Sequence, residues 1–253
     1  MKIIAMANQK GGVSKTTTTQ AVVTLLNKSG KRTLCIDLDP QANLSFAMRA
    51  ELEEAPTIYN VLKGELTAED ILQHTDSGDI LPSNILLSAA DTEFISMGRE
   101  YLLKEAIQSI AKNYEYVLID CPPALSILTV NAFTASDFIV VPTLADVFSL
   151  QGMAQLNNTI QGVKKYSNPN LKVAGILLTR FNHRTKLGNH IQKLLDAATK
   201  SMDTVLFKSY IRNSISVQES QYQRENILSY DSRGNAMADY ADFLNELEAV
   251  LNA

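Results

Sequence analysis

Cysteine is scarce: Cys35 and Cys121 are the only two in 253 residues. No disulfide framework can be built from them, and the expected compartment is a reducing cytosol. Long apolar runs are missing too. None approaches the ~20 residues that a membrane span needs. The apolar start over residues 1–7 is too short for a secretory leader with its cleavage site, and reads as a buried strand. Basic charge is not in excess: 23 Lys and Arg stand against 27 Asp and Glu, a net charge of −4. That excludes a globally basic nucleic-acid binder and leaves room for a local basic patch. Repeats, low-complexity tracts and an interdomain linker are also lacking, so one domain over residues 1–253 is expected, with enough chain to bury a sizeable core unaided.

What is present is an alternation. Continuous apolar runs predict strands over 2–7, 32–37, 79–81, 116–120, 138–141, 172–179 and 204–207. Runs without an apolar–polar alternation are expected of strands covered on both faces. Helical patterns lie between and after them, over 16–29, 98–112, 128–135, 150–166, 186–200 and 236–251. The acidic, turn-rich stretch 50–77 predicts short helices such as 57–62. Strand–helix alternation predicts an α/β fold: a doubly wound, mostly parallel sheet with helices on both faces.

The strongest chemical signal is Lys10-Gly11-Gly12-Val13-Ser14-Lys15-Thr16-Thr17, set between the first strand and the first helix. Glycines let backbone N–H groups approach phosphate oxygens, and the helix N-terminus adds a positive dipole end. Lys15 is placed to neutralise the β and γ phosphates, and the Thr16 hydroxyl to ligate Mg²⁺. The common G-x-x-x-x-G-K-[ST] spacing is not met, because Gln9 and Ser14 occupy its glycine positions. A lysine opens this loop and another closes it. Lys10 has no obvious partner within its own subunit. Asp37 and Asp39 end the second strand and Asp120 ends an apolar strand, where ligand groups gather in such sheets.

These residues resemble the deviant Walker ATPases and, among them, the ParA/Soj partition proteins. The likeness rests on Ala7 through Thr17, on Cys35-Ile36-Asp37-Leu38-Asp39-Pro40-Gln41, on Val117-Leu118-Ile119-Asp120-Cys121-Pro122-Pro123, on Leu128-Thr129-Val130-Asn131-Ala132 and on Ile211-Arg212-Asn213. In the family the position of Ser14 is often Gly, so the loop must accept an L-residue here. The resemblance implies an ATPase of weak intrinsic activity that uses ATP and Mg²⁺. It implies that residues 10–17 hold ATP and that Lys10 crosses a homodimer interface to the other subunit's nucleotide. Asp39 would orient the attacking water. Asp37 would help organise the Mg²⁺ shell, Asp120 would hold Mg²⁺ through water, and Arg212 and Asn213 would lie over the base. It further implies DNA partition: an ATP-bound dimer on plasmid or chromosome DNA, released when a ParB-like partner stimulates hydrolysis. The location would be cytoplasmic, on the nucleoid when ATP is bound.

Lys186, Lys193 and Lys200 recur every seven residues. On a helix that spacing drifts only ~20° per step, so they form one stripe ~21 Å long. Leu187, Ile191, Leu194, Leu195 and Ala198 form the apolar side. Residues 161–233 hold twelve basic and five acidic residues; the remainder holds eleven and twenty-two. The asymmetry points to an anionic partner on one face, with Arg184, Lys208, Arg212, Arg224 and Arg233 extending the stripe. No recognition-helix pattern is present, so sequence-independent phosphate contacts are expected.

The first helical pattern starts after residue 15, and no N-terminal helix-turn-helix domain is expected. A MinD-like membrane-positioning ATPase is the alternative. It would need a basic amphipathic C-terminal helix, whereas residues 239–253 carry four acids and no Lys or Arg. A redox enzyme with a bridging iron–sulfur cluster would need two available cysteines, and Cys35 and Cys121 read as packing residues. His74, His183 and His190 show no metal-binding spacing.

Overall fold

The computed structural model describes the backbone of residues 1–253 and all side chains except those of Val147, Leu187, Asn189 and Ser201. Leu187, expected on an apolar helix face, therefore lies outside the described residues. The strands are β1 Lys2–Met6, β2 Thr33–Asp37, β3 Gln73–Thr75, β4 Gly78–Leu81, β5 Tyr116–Asp120, β6 Phe138–Thr143, β7 Lys172–Phe181 and β8 Leu206–Arg212. They form one eight-stranded sheet in the order β3-β4-β2-β5-β1-β6-β7-β8. Only the β3–β4 pair is antiparallel.

The helices are α1 Lys15–Lys28, α2 Asn43–Ala47, α3 Ile58–Leu62, α4 Ala90–Glu93, α5 Leu102–Ala106, α6 Gln108–Ala111, α7 Ile127–Ala135, α8 Val147–Tyr166, α9 Lys186–Thr199, α10 Ile215–Tyr222, α11 Ile227–Tyr230 and α12 Asn235–Leu251. Strand side chains point alternately to the two faces, and both faces are covered. Ile3, Ala5, Val117 and Ile119 pack with α3 and α5–α9. Ile4, Met6, Cys35 and Leu118 pack with α1, α2, α11 and α12. The doubly wound, mostly parallel architecture is the one the sequence predicts.

Two expectations need correction. The helix over 98–112 is broken into a 3₁₀ turn at Arg99–Tyr101, α5 and α6. Asn131 on α7 intervenes: its amide donates to the Arg99 carbonyl at 2.8 Å, and its carbonyl oxygen accepts from the Leu103 N–H at 3.0 Å. The strand over 204–207 is displaced to 206–212. Its polar Lys208 and Ser209 lie on a sheet edge, where Glu246 of α12 accepts both their N–H groups at 2.8 and 2.9 Å. A carboxylate from a neighbouring helix there does the work of a missing strand.

Tyr240, Phe243 and Leu247 bury one side of α12 against the sheet. The apolar side of this acidic C-terminal helix is therefore already occupied. No helix among the described residues is long and apolar enough to cross a membrane.

Candidate nucleotide site

The glycine loop is fixed from both sides. Asn8 donates to the Pro142 carbonyl at 2.8 Å, and its side-chain oxygen accepts the Lys10 N–H at 3.0 Å. Val13 is fully buried, and the Thr179 hydroxyl of β7 lies 3.1 Å from its carbonyl. Gly12 turns the chain at φ +72°, where no Cβ is tolerated cheaply. Ser14 also has a positive φ, 65°, with ψ 27°. The loop thus accepts an L-residue only in the left-handed region, at ~1 kcal/mol of strain.

Above the loop opens a cavity of about 590 Å³. Gly11, Gly12, Ser14, Lys15, Thr16, Thr17 and Asp39 line it, whereas Lys10 and Val13 of the same loop do not. The Lys15 side chain folds back over the loop, its ammonium 3.3 Å from the Lys10 carbonyl. Burial pulls that ammonium below its usual pKa, and the charges of Asp120, Cys121 and Asp39 pull it back up. Cys121 itself is buried among packing residues, as is Cys35.

The three aspartates fall on adjacent strand ends, because Asp37 and Asp120 stand side by side in the β2–β5 register. Asp120 is wholly buried beneath Thr16, whose hydroxyl donates to its Oδ2 at 2.6 Å. Its Oδ1 has no hydrogen-bond partner among the described residues. Burial, then the neighbouring Asp37, pushes the Asp120 carboxyl well above the usual carboxylate range. A buried oxygen without a donor, beside a threonine hydroxyl, fits a hard cation with its waters.

Asp37 is held within the fold instead. Its Oδ2 accepts the Ser45 N–H and hydroxyl, both at 2.8 Å, and its Oδ1 accepts the Asp39 N–H at 3.1 Å. Burial raises its pKa to about 6 against these bonds. Three of its acceptor sites are thus used within the fold, and it is fully buried outside the cavity lining, so these bonds favour a structural place for Asp37 over the expected one in a metal shell. Asp39 reaches the cavity, its Oδ1 accepting the Gln41 N–H at 3.0 Å.

Lys10 departs from expectation as well. It has a partner in its own chain: its ammonium pairs with Asp146, and Phe148 lies 6.0 Å away. Asp146 is also the N-cap of α8, its Oδ1 accepting the Ser149 N–H at 3.0 Å. Arg212 is likewise committed. Its guanidinium meets Asp239 of α12 at 2.6–3.1 Å and its N–H donates to the same carboxylate, so it does not line the cavity. Asn213 lines a neighbouring cleft with Asp146 and Arg180.

The cavity also exposes residues that motif reading missed. Arg180 is the penultimate residue of β7, at φ +49°, Phe46 lies on α2, and Gln221 and Tyr222 lie on α10. Gln221 donates to the Thr17 hydroxyl at 2.7 Å. Arg180 could have been suspected from its place at a strand's carboxyl end. Gln221 has no local signal, being 204 residues from its partner.

The basic stripe is partly realised. Lys186 and Lys193 on α9, and Lys200 just after it, are exposed, with Ile191 and Leu195 buried beneath. Leu194, expected inside, is 40% exposed. Lys208 is exposed on the same face, since its strand neighbours Leu206 and Tyr210 pack into the α9-side core. Arg224 and Arg233 do not belong to the stripe. Arg224 stacks 4.3 Å over the Phe46 ring, and Arg233 sits between α11 and α12, on the sheet's other side.

Comparison with known proteins supplies a context for this geometry. A family model described as an AAA domain matches residues 1–173. The sporulation initiation inhibitor protein Soj of Bacillus subtilis is 36% identical over 98% of both chains. The chromosome partitioning protein ParA of Caulobacter vibrioides is 36% identical over 98% of this chain and 94% of its own. A Mycobacterium smegmatis cobyrinic acid a,c-diamide synthase, solved with ADP and magnesium, superposes with a TM-score of 0.82 at 31% identity, over 100% of this chain and 96% of its own. Full-length identity above 30%, together with the lysine-opened glycine loop and the strand-end aspartates, settles the classification: the chain belongs to the ParA/Soj-type partition ATPases of the MinD/ParA family.

Proposed function

We propose that this protein is an ATP-driven switch for DNA partition. One observation carries the reading: the buried Lys15 ammonium and the partnerless Asp120 oxygen flank a glycine loop that opens into a cavity of about 590 Å³. A triphosphate in that cavity meets loop N–H groups, the α1 N-terminus and Lys15. Thr16 and Asp120 would hold Mg²⁺, which when bound offsets the charge on the β and γ phosphates. Asp39 accepts a hydrogen bond from a water at the cavity wall and orients it toward the γ phosphate. Lys10, once free of Asp146, reaches a second copy's nucleotide and makes ATP binding and dimerisation one event. The exposed Lys186, Lys193, Lys200 and Lys208 contact duplex phosphates without reading sequence. A ParB-like protein stimulates hydrolysis and release.

A relative named for chromosome partitioning supports this reading, and so does the synthase named with ADP and magnesium. Titration calorimetry with ATP and Mg²⁺ tests the first step: binding is expected in the wild type and lost in Lys15→Ala. Absence of wild-type binding refutes the switch. An electrophoretic shift of unrelated duplex DNA, dependent on ATP and abolished by high salt, tests the second.

A further inference from the structure

A closed ring of hydrogen bonds lies behind Asp39, and the motifs do not account for half of it. The Ser45 hydroxyl, on α2, donates to Asp37 Oδ2 at 2.8 Å and accepts the Ser83 N–H at 2.9 Å. The Ser83 hydroxyl, just past β4, donates to the Asp39 carbonyl at 2.6 Å. Asp37 Oδ1 accepts the Asp39 N–H at 3.1 Å and closes the circuit. Ser45, Ser83 and Asp37 are completely buried, and Asp39 is 8% exposed. Every donor and acceptor in the ring has a defined direction, because Ser45 Oγ uses its single proton on Asp37. The peptide groups on both sides of the Asp39 side chain are therefore held by side chains, the N–H by Asp37 two residues away and the carbonyl by Ser83 forty-four residues away, while Ser45 ties Asp37 to Ser83.

We infer that Ser45 and Ser83 are positioning residues for Asp39. They fix the backbone from which its carboxylate reaches the cavity: Asp37 anchors Ser45 and the Asp39 N–H, and Ser45 in turn anchors Ser83. The inference rests on the reading of the chain as an ATPase in which Asp39 orients water. It explains why a second aspartate is present two residues earlier although it is buried outside the cavity lining. Phosphoryl transfer depends on positioning, and displacement of an orienting group by an ångström costs up to about 100-fold in rate.

The test is Ser83→Ala, which deletes one hydroxyl and leaves the Ser83 N–H on Ser45. With ATP and Mg²⁺, kcat should fall about tenfold while KM and the calorimetric ATP affinity stay within about twofold. In an Asp39→Ala background the same substitution should change the residual rate less than twofold, because Ser83 acts only through Asp39. Ser45→Ala should reproduce the kcat loss. Amide exchange over residues 39–45 should quicken in Ser83→Ala with or without nucleotide. Unchanged kcat and exchange in folded Ser83→Ala overturn the inference. So does a parallel loss of kcat, ATP affinity and thermal midpoint, which marks a merely structural role. A wild type that binds no ATP instead refutes the underlying ATPase reading, and the exchange measurement still decides whether Ser83 holds residue 39.

Discussion

Replacing Asp146 by Asn isolates what the Lys10–Asp146 pair does. The amide keeps an acceptor at the α8 N-terminus, so the 3.0 Å bond from the Ser149 N–H is retained. The charge that holds the Lys10 ammonium is lost. Both side chains are about one-third exposed, 32% and 34%, so the pair is worth about 0.5–1 kcal/mol, the range of solvent-screened pairs. If Lys10 serves a second copy's nucleotide, each copy must first break its own pair. Two copies then spend about 1–2 kcal/mol, or about 5- to 30-fold in the dimer dissociation constant. Sedimentation equilibrium with a non-hydrolysable ATP analogue and Mg²⁺ should therefore find Asp146→Asn dimeric at correspondingly lower concentration. Raising the salt should narrow the gap, because it already screens the wild-type pair. A dimer constant that is unchanged or weaker, with the unfolding midpoint of the free protein intact, would refute the competition between Asp146 and a second copy for Lys10.

Three further outcomes follow from the same geometry. Asp39→Ala should bind ATP and accumulate as a nucleotide-bound dimer that releases little phosphate; ordinary phosphate release would remove Asp39 from the mechanism. Lys193→Glu combined with Lys200→Glu should weaken ATP-dependent DNA binding without altering ATP affinity. It should also flatten the salt dependence by about two phosphate contacts, which titration across a salt series measures. Ser14→Val, with a β-branched residue at φ 65°, should lower stability by about 1–2 kcal/mol in chemical denaturation, whereas Ser14→Gly should not lower it.

The sheet was legible because its central strands carry apolar residues on both faces. Residues 116–120 coincide with β5, and the edges of β1, β2 and β6 move by at most two residues. Legibility fades where tertiary partners replace local pattern. β8 contains Lys208-Ser209-Tyr210, which reads as a turn until Glu246 is brought from 37 residues away to hold its backbone. β3 and α2 are too short, at three and five residues, to show any period. The break in the helix over 98–112 is invisible locally, because the amide that causes it belongs to Asn131.

The candidate site divides on the same physical line. Gly12, Lys15 and Thr16 act with the backbone next to them, so eight consecutive letters specify a phosphate cradle. Whether a charged side chain is free to act depends instead on what lies opposite it in space, which a motif does not contain. Lys10, Arg212 and Asp37 each match a family position, yet each is held within this chain: by Asp146, by Asp239, and by Ser45 with the Asp39 N–H. The partners differ in what their release demands. Asp239 grips Arg212 with both carboxylate oxygens and also takes its N–H, and Asp37 is sealed in the core. The Lys10 pair is exposed enough to exchange with water. Of these three matched charges, Lys10 is the one that a second molecule could recruit without unfolding anything.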